Sequence, residues 1–441
     1  MTSALANGRI TALASHRAVH RAFSWMHLHE QQLQRWHREF LAIPAPPFGE
    51  APRARWFAAR FTELGLTNVH LDDEGNALAE LSTAPATTTS EADESGLQAT
   101  DFGASVPTDG QRASAPAPDI NSPVVLLSAH LDTVFPAGTD CTPREQEGRL
   151  LCPGATDNGA GLTALLAIAA AIRHAELTPP CTILFAANVG EEGEGDLRGM
   201  RHIFSAPPYA GRIRAALALE GAGASTVVDR ALGGRRLRVE ISGPGGHSWA
   251  DADRPSPINA LADALSTLAR LPLPENPRTT LNCGLISGGT SINSIAAEAR
   301  ADLDLRSISS DALDRLEQQV LDIVSAATQG ESRRSRAHDA LRLQVRRIGD
   351  RTAGELPQQS PLALSLRAVD RHLGIATDFR IGSTDANLPL SLGVPALAIG
   401  AGGTGGGIHT LNEWFDPAGR ALALRRILLL LLDTCNLTAD L

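Results

Sequence analysis

The stretch VVLLSAHLD, residues 124–132, constrains this chain more than any other. Val124 to Ala129 is a near-continuous apolar run, the reading of a strand buried on both faces in a parallel sheet. His130 and Asp132 stand at its end, and a strand period of two turns both side chains the same way. A glycine-bounded loop then carries Asp157, and an Ala/Leu-rich helix follows from about Gly161 to Arg173. Open α/β sheets place their sites at the carboxyl ends of their strands. A histidine and two carboxylates gathered there are the beginnings of a metal centre.

The same arrangement recurs downstream. Cys181 to Val189 is a second buried strand that ends in GEEGEG with Glu191 and Glu192, and Ala215 to Leu219 is a third that ends in Glu220. Val394 to Ile399 leads through a glycine run to His409. The expected fold class is α/β: a mixed, mostly parallel sheet sandwiched by helices. From about Val227 the pattern changes to strands at Leu237–Ile241, Leu281–Leu285 and Glu298–Leu305 and amphipathic helices at Pro257–Leu271 and Asp311–Ala327. This order describes a small α+β domain set into the larger one. The expected division is 1–226 and 349–441 for the catalytic domain and 227–348 for the insertion.

Elsewhere, one helix is expected over Ala22–Ala42, ended by PAPPFGE, and another over Ala51–Leu64. A strand pair around Val69–Leu71 and Ala77–Leu81 follows, and a last helix spans Pro417–Leu432. Residues 84–120 are rich in Ala, Thr, Ser, Pro and Asp and too poor in large apolar side chains to offset their ordering entropy. They are expected to form a disordered insertion. SRRSRAH, Ser332–His338, reads as a solvated turn.

Composition removes several classes of function. A net charge of −10 over 441 residues provides no basic stripe for nucleic acid. No run is long enough to span a bilayer, and the first residues lack the apolar core of a signal peptide. Five scattered cysteines without a C-x-x-C pair indicate free thiols and a cytoplasmic setting. Gly400–Gly405 spells G-x-G-x-x-G, but no helix follows it, so a dinucleotide site is not expected.

His130, Asp157, Glu192, Glu220 and His409 are too many ligands for one catalytic zinc, which keeps three protein ligands and an open position. They suit two cations roughly 3.5–4 Å apart with a shared carboxylate. Adjacent Glu191 and Glu192 can divide the work, one ligating and the other taking a proton. Asp132 is expected to fix the tautomer of His130.

SAHLDTV, GATDNGAG, GEEGEG, ALALEG, GPGGHSW and GGGIHTLNEW occur here in one order. This set resembles the M20 family of dizinc metallopeptidases and amidohydrolases over about residues 22–83 and 122–435. The resemblance implies that His130 binds one zinc, Asp157 bridges, Glu192 and Glu220 bind one metal each, and His409 completes the ligand set of the second metal. It also implies Glu191 as general base, with Asp132 supporting His130. His247 would be a lid histidine that reaches a partner's site and stabilises the oxyanion. Asn293 and Arg306 would hold the substrate, Arg306 through a carboxylate. The cofactors implied are two divalent ions per chain, zinc first and cobalt or manganese as substitutes. The expected activity is di- or tripeptide exopeptidase; N-acyl amino acid deacylase is the alternative, and a non-catalytic member of the fold the remote one. A homodimer through the lid is also implied.

Overall fold

The computed structural model of the chain describes residues 2–82, 122–336 and 339–439. The low-complexity insertion expected over 84–120 lies outside the described residues. Among these, a nine-stranded mixed sheet runs in the order Thr67–Leu71, Ala77–Leu81, Thr182–Asn188, Val124–His130, Ile213–Leu219, Ala396–Ile399, Thr226–Ala231, Gly354–Glu355. Asp378–Gly382 pairs alongside Thr226–Ala231.

Its four central strands, from Thr182–Asn188 to Ala396–Ile399, are parallel. Every residue of Val124–His130 and Thr182–Asn188 is buried, as strands covered on both faces must be. Register brings their ends level: His130 pairs with Asn188, Ser128 with Ala218, and Leu219 with Ile399. Each chain segment therefore leaves the sheet beside the others.

Two helices, Gly159–His174 and Arg420–Ala439, are apolar almost all round, with Ile427–Leu432 wholly buried. Such helices need cover on their outer faces as well. Arg17–Leu28 and Glu30–Leu41 supply it, where sequence reasoning expects a single helix over 22–42. His29 breaks the run, and the His16 ring caps the Arg17–Leu28 segment by accepting from Ala18 N at 3.3 Å. A third helix, Ser3–Ser15, was not expected; it buries Ala6, Ile10 and Ala14, four residues apart on one face.

The smaller unit is a four-stranded antiparallel sheet in the order Thr279–Gly288, Glu298–Ser307, Gly233–Ser242, Arg342–Arg351. Helices Pro257–Leu268 and Ser310–Arg334 pack on it around a separate apolar core that includes Leu237, Val239, Leu303 and Val320. Both helices start on a serine whose hydroxyl accepts a first-turn N–H, Ser256 from Asn259 and Ser309 from Ala312. The division expected at 227 and 348 falls inside a strand of each sheet; we propose 232 and 352 in its place. Ser332–Arg334 closes the long helix instead of forming a turn, because arginines suit the negative end of a helix.

Candidate metal centre

The edge where the parallel strands end collects five acidic or histidine-bearing segments. His130 is 0 % exposed, and its Nε2 lies 3.1 Å from Asp157 Oδ1 and 3.7 Å from Glu220 Oε1. His409 Nε2 lies 3.1 Å from the other oxygen of Asp157, Oδ2, and 3.0 Å from Glu192 Oε1. Asp157 thus turns one oxygen toward each histidine. The triads His130–Asp157–Glu220 and Asp157–Glu192–His409 each bring three ligand atoms within 4.8 Å of one another. Tetrahedral zinc with bonds of about 2.0–2.1 Å sets its donors about 3.3 Å apart. The observed separations bracket that value, so the donor set fits two cations sharing Asp157. The sequence-predicted ligands all meet here.

Glu191 also falls within 4.8 Å of His130 and Glu192, but its Oε1 is engaged by Arg351 Nη1 at 2.8 Å. A second bond joins Arg351 to the Glu191 carbonyl. This ion pair anchors Glu191 on one side while it lines the same cleft as the cluster.

Asp132 reaches His130 through two groups. The strand ends at His130, so the period of two does not carry on to Asp132. Its backbone carbonyl, not its carboxylate, holds His130 Nδ1, at 3.0 Å. The carboxylate lies 3.7 Å from that nitrogen and acts on it by charge. Its oxygens accept the N–H groups of Glu191 and Glu192 at 3.1 and 2.7 Å, which fixes the turn carrying both acids.

Other residues passed unnoticed in sequence. Asn158 accepts from Gly161 N at 3.1 Å and Gly221 N at 3.2 Å and donates to Leu219 O at 2.8 Å, joining the Asp157 loop to the Glu220 strand. Gly161 is required there, since a Cβ would stand 2.2 Å from Asn158 Oδ1. Glu413 lies buried beneath the Asp157 loop and accepts three of its backbone N–H groups. Asp385, also buried, accepts from Asn188 Nδ2 at 2.8 Å. His409 itself has a left-handed backbone, φ 62°, a conformation non-glycine residues adopt at a cost.

The electrostatics are those of crowded acids. Burial raises the carboxyl of Glu220 well above its usual range, and Asp157 adds to the rise. Burial, then Glu191 and Asp157, push Glu192 up to about 7. Burial also raises Glu191, against the pull of Arg351 and His130. Desolvation opposes the charge of Asp157, but hydrogen bonds from His130 and His409 outweigh it and hold the carboxyl low. Asp157 and Glu192 raise His409 to about 9. Carboxylates pushed up by one another mark a place where cations relieve the repulsion.

The cluster floors a cleft of about 460 Å³. Arg236, Asp304 and Arg306 of the smaller unit form the opposite wall. Arg306 Nε donates to Asp304 Oδ2 at 2.7 Å, and Arg236 Nη1 to Gly193 O at 2.6 Å. His247 and Asn293 stand elsewhere, exposed together on a two-stranded ribbon where His247 pairs with Ser294. Neither lines the cleft of its own chain.

Fold and site together define a protein of the α/β class, with a candidate metal cluster at the sheet edge and a smaller unit facing it. Residues 126–433 match the model of peptidase family M20/M25/M40, and the chain belongs to that family. It is 31 % identical over 203 residues to a probable carboxypeptidase of Aspergillus clavatus, 42 % of this chain and 44 % of that one. The chain spans about half the length of the curated relatives it matches. In structure it is similar to a tripeptidase of Staphylococcus aureus, with a TM-score of 0.68 and 21 % identity over 93 % of this chain and 99 % of that one. It is also similar to a dinuclear metal-binding M20 peptidase of Bacillus subtilis, with a TM-score of 0.63 and 13 % identity over 92 % and 98 %. No helix among the described residues is long and apolar enough to cross a membrane.

Proposed function

We propose that this chain is a two-metal exopeptidase that cleaves an amide bond of di- or tripeptides. The observation that carries the reading is Asp157, whose two oxygens face two separate histidine–carboxylate pairs. His130, Asp157 and Glu220 would hold one cation, and Asp157, Glu192 and His409 the other. Bound there, divalent cations supply Lewis acidity toward the scissile carbonyl and make a water molecule more acidic.

The protein's own groups do the rest. Glu191 takes the proton of the attacking water and delivers it to the leaving amine. Arg351 orients Glu191 and tempers the rise that burial gives its carboxyl. Arg306 receives the substrate's free carboxylate in its planar fork, with Arg236 beside it. His247, from the ribbon of a second subunit, supports the developing oxyanion, and Asn293 holds the substrate next to it. The relatives named as carboxypeptidase and tripeptidase support small peptides as substrates.

Glu191→Gln is the direct test. Turnover is expected to fall by at least about a hundredfold while metal content stays at two ions per chain; retained activity would remove Glu191 as the base. A panel of dipeptides and N-acetyl amino acids, assayed with zinc, cobalt and manganese, separates a peptidase from a deacylase.

A further inference from the structure

A single buried carboxylate joins the loops that bear Asp157 and His409. Glu413 follows His409 by four residues and is 0 % exposed. Its Oε1 accepts the N–H groups of Thr156 and Asp157, both at 2.8 Å, and its Oε2 accepts that of Gly154 at 2.9 Å. Among the described residues no arginine or histidine side chain forms an ion pair with it. Two further bonds join the same segments: Cys152 N to Glu413 O at 3.0 Å, and Thr156 Oγ1 to Trp414 O at 2.8 Å.

Three converging donors need an acceptor with two oxygens and no N–H of its own, which only an ionised carboxylate provides. Removing such a group from water without a counter-cation is costly. Packing alone would be served by an apolar side chain. The charge is used instead to gather the backbone of one loop onto the other.

We propose that Glu413 is a positioning residue that sets the Asp157 carboxylate against the His409 imidazole and so determines how tightly the cation between Asp157, Glu192 and His409 is held. This rests on the reading of Asp157 and His409 as metal ligands. Residues that orient ligands from behind typically alter metal affinity roughly ten- to a hundredfold when changed.

Glu413→Gln keeps the volume but turns an N–H₂ toward one of the three donors. Calorimetric titration of the chelator-treated protein with Co²⁺ is expected to show the second ion bound about ten- to a hundredfold more weakly, with the first, which shares Asp157 but not His409, weakened less. The absorption of the weaker cobalt site should change shape. Turnover should recover toward the wild-type value at saturating metal, with KM little altered. Unchanged affinity for both ions and an unaltered spectrum, even with a lower Tm, would reduce Glu413 to a structural role and overturn the proposal. Thr156→Val, which removes only the bond to Trp414 O, is expected to shift the second ion in the same direction by less. Should Glu413→Gln not fold, Glu413→Asp, which keeps both oxygens but shortens their reach, decides the matter by the same titration: an unchanged second ion overturns the proposal. Asp157→Asn and His409→Ala tell the two readings apart: if both bind two ions like the wild type, the ligand assignment fails and the proposal falls with it.

Discussion

Four of the five proposed ligands, His130, Glu192, Glu220 and His409, follow a buried run of apolar residues, and that made them visible in the sequence. Asn158, Glu413 and Asp132 act on backbone N–H groups of loops, and loop shape has no periodicity to read. Asp157 reflects the balance between the two kinds: its residue type was legible, its even reach to two histidines was not. The crowding has a measurable consequence in the metal-free protein. Glu192 at about 7 and Asp385, raised by burial and by Glu191 to about 7, lie above their ordinary 4.5 and 3.8. A carboxyl raised in the folded state stabilises the fold when protonated, in full below its unfolded value, and that contribution is lost as pH rises through the folded value. His409, raised to about 9 from 6.5, loses its contribution as pH rises through 9. The chelator-treated protein is therefore expected to melt at lower temperature as pH rises from about 5 to 9. Glu192→Gln should flatten the part between about 5 and 7. A melting curve in which that variant keeps the wild-type slope would show that another group is responsible.

Among the elements, the buried parallel strands could be located to within a residue or two because nothing interrupts their apolar runs. The strand Arg342–Arg351 escaped notice because the alternation that Leu343 and Val345 begin stops at Arg346 and Arg347, where a register shift breaks the period of two. Its last residue is Arg351, so the missed strand also concealed the partner of Glu191. Helices Pro361–Leu373 and Arg420–Ala439 are joined by a pair no apolar pattern reveals. Arg426 Nε and Nη2 each lie 2.7 Å from an oxygen of Asp370, both residues are buried, and Arg426 Nη1 donates to Ala224 O and Thr226 O. Breaking one partner of such a pair leaves a buried charge uncompensated. Arg426→Met is expected to cost about 3–5 kcal/mol in urea unfolding with metal stoichiometry unchanged. A loss near zero would mean that Asp370 finds enough support in Thr377, whose hydroxyl donates to it.

For the molecule as a whole, the ribbon holding His247 and Asn293 stands away from its own cleft, beside exposed Trp249 and Ile292. If His247 serves a second subunit, two inactive variants repair one another. In a mixed dimer of Glu191→Gln and His247→Ala, one site carries both defects and the other carries neither. Random pairing should restore about a quarter of wild-type activity, because half the dimers are mixed and half their sites intact. Activity that stays at the level of the separate variants would confine His247 to its own chain.

Ala396–Ile399 lies between Ile213–Leu219 and Thr226–Ala231 in the large sheet, although some 165 residues of chain, including the whole smaller unit, are made between the last of these strands and it. On the ribosome, the smaller unit emerges complete while the strands flanking that slot still await their neighbour. The sheet edge that gathers the acids of the cluster can close only after residue 399 has left the exit tunnel, well after the smaller unit is complete.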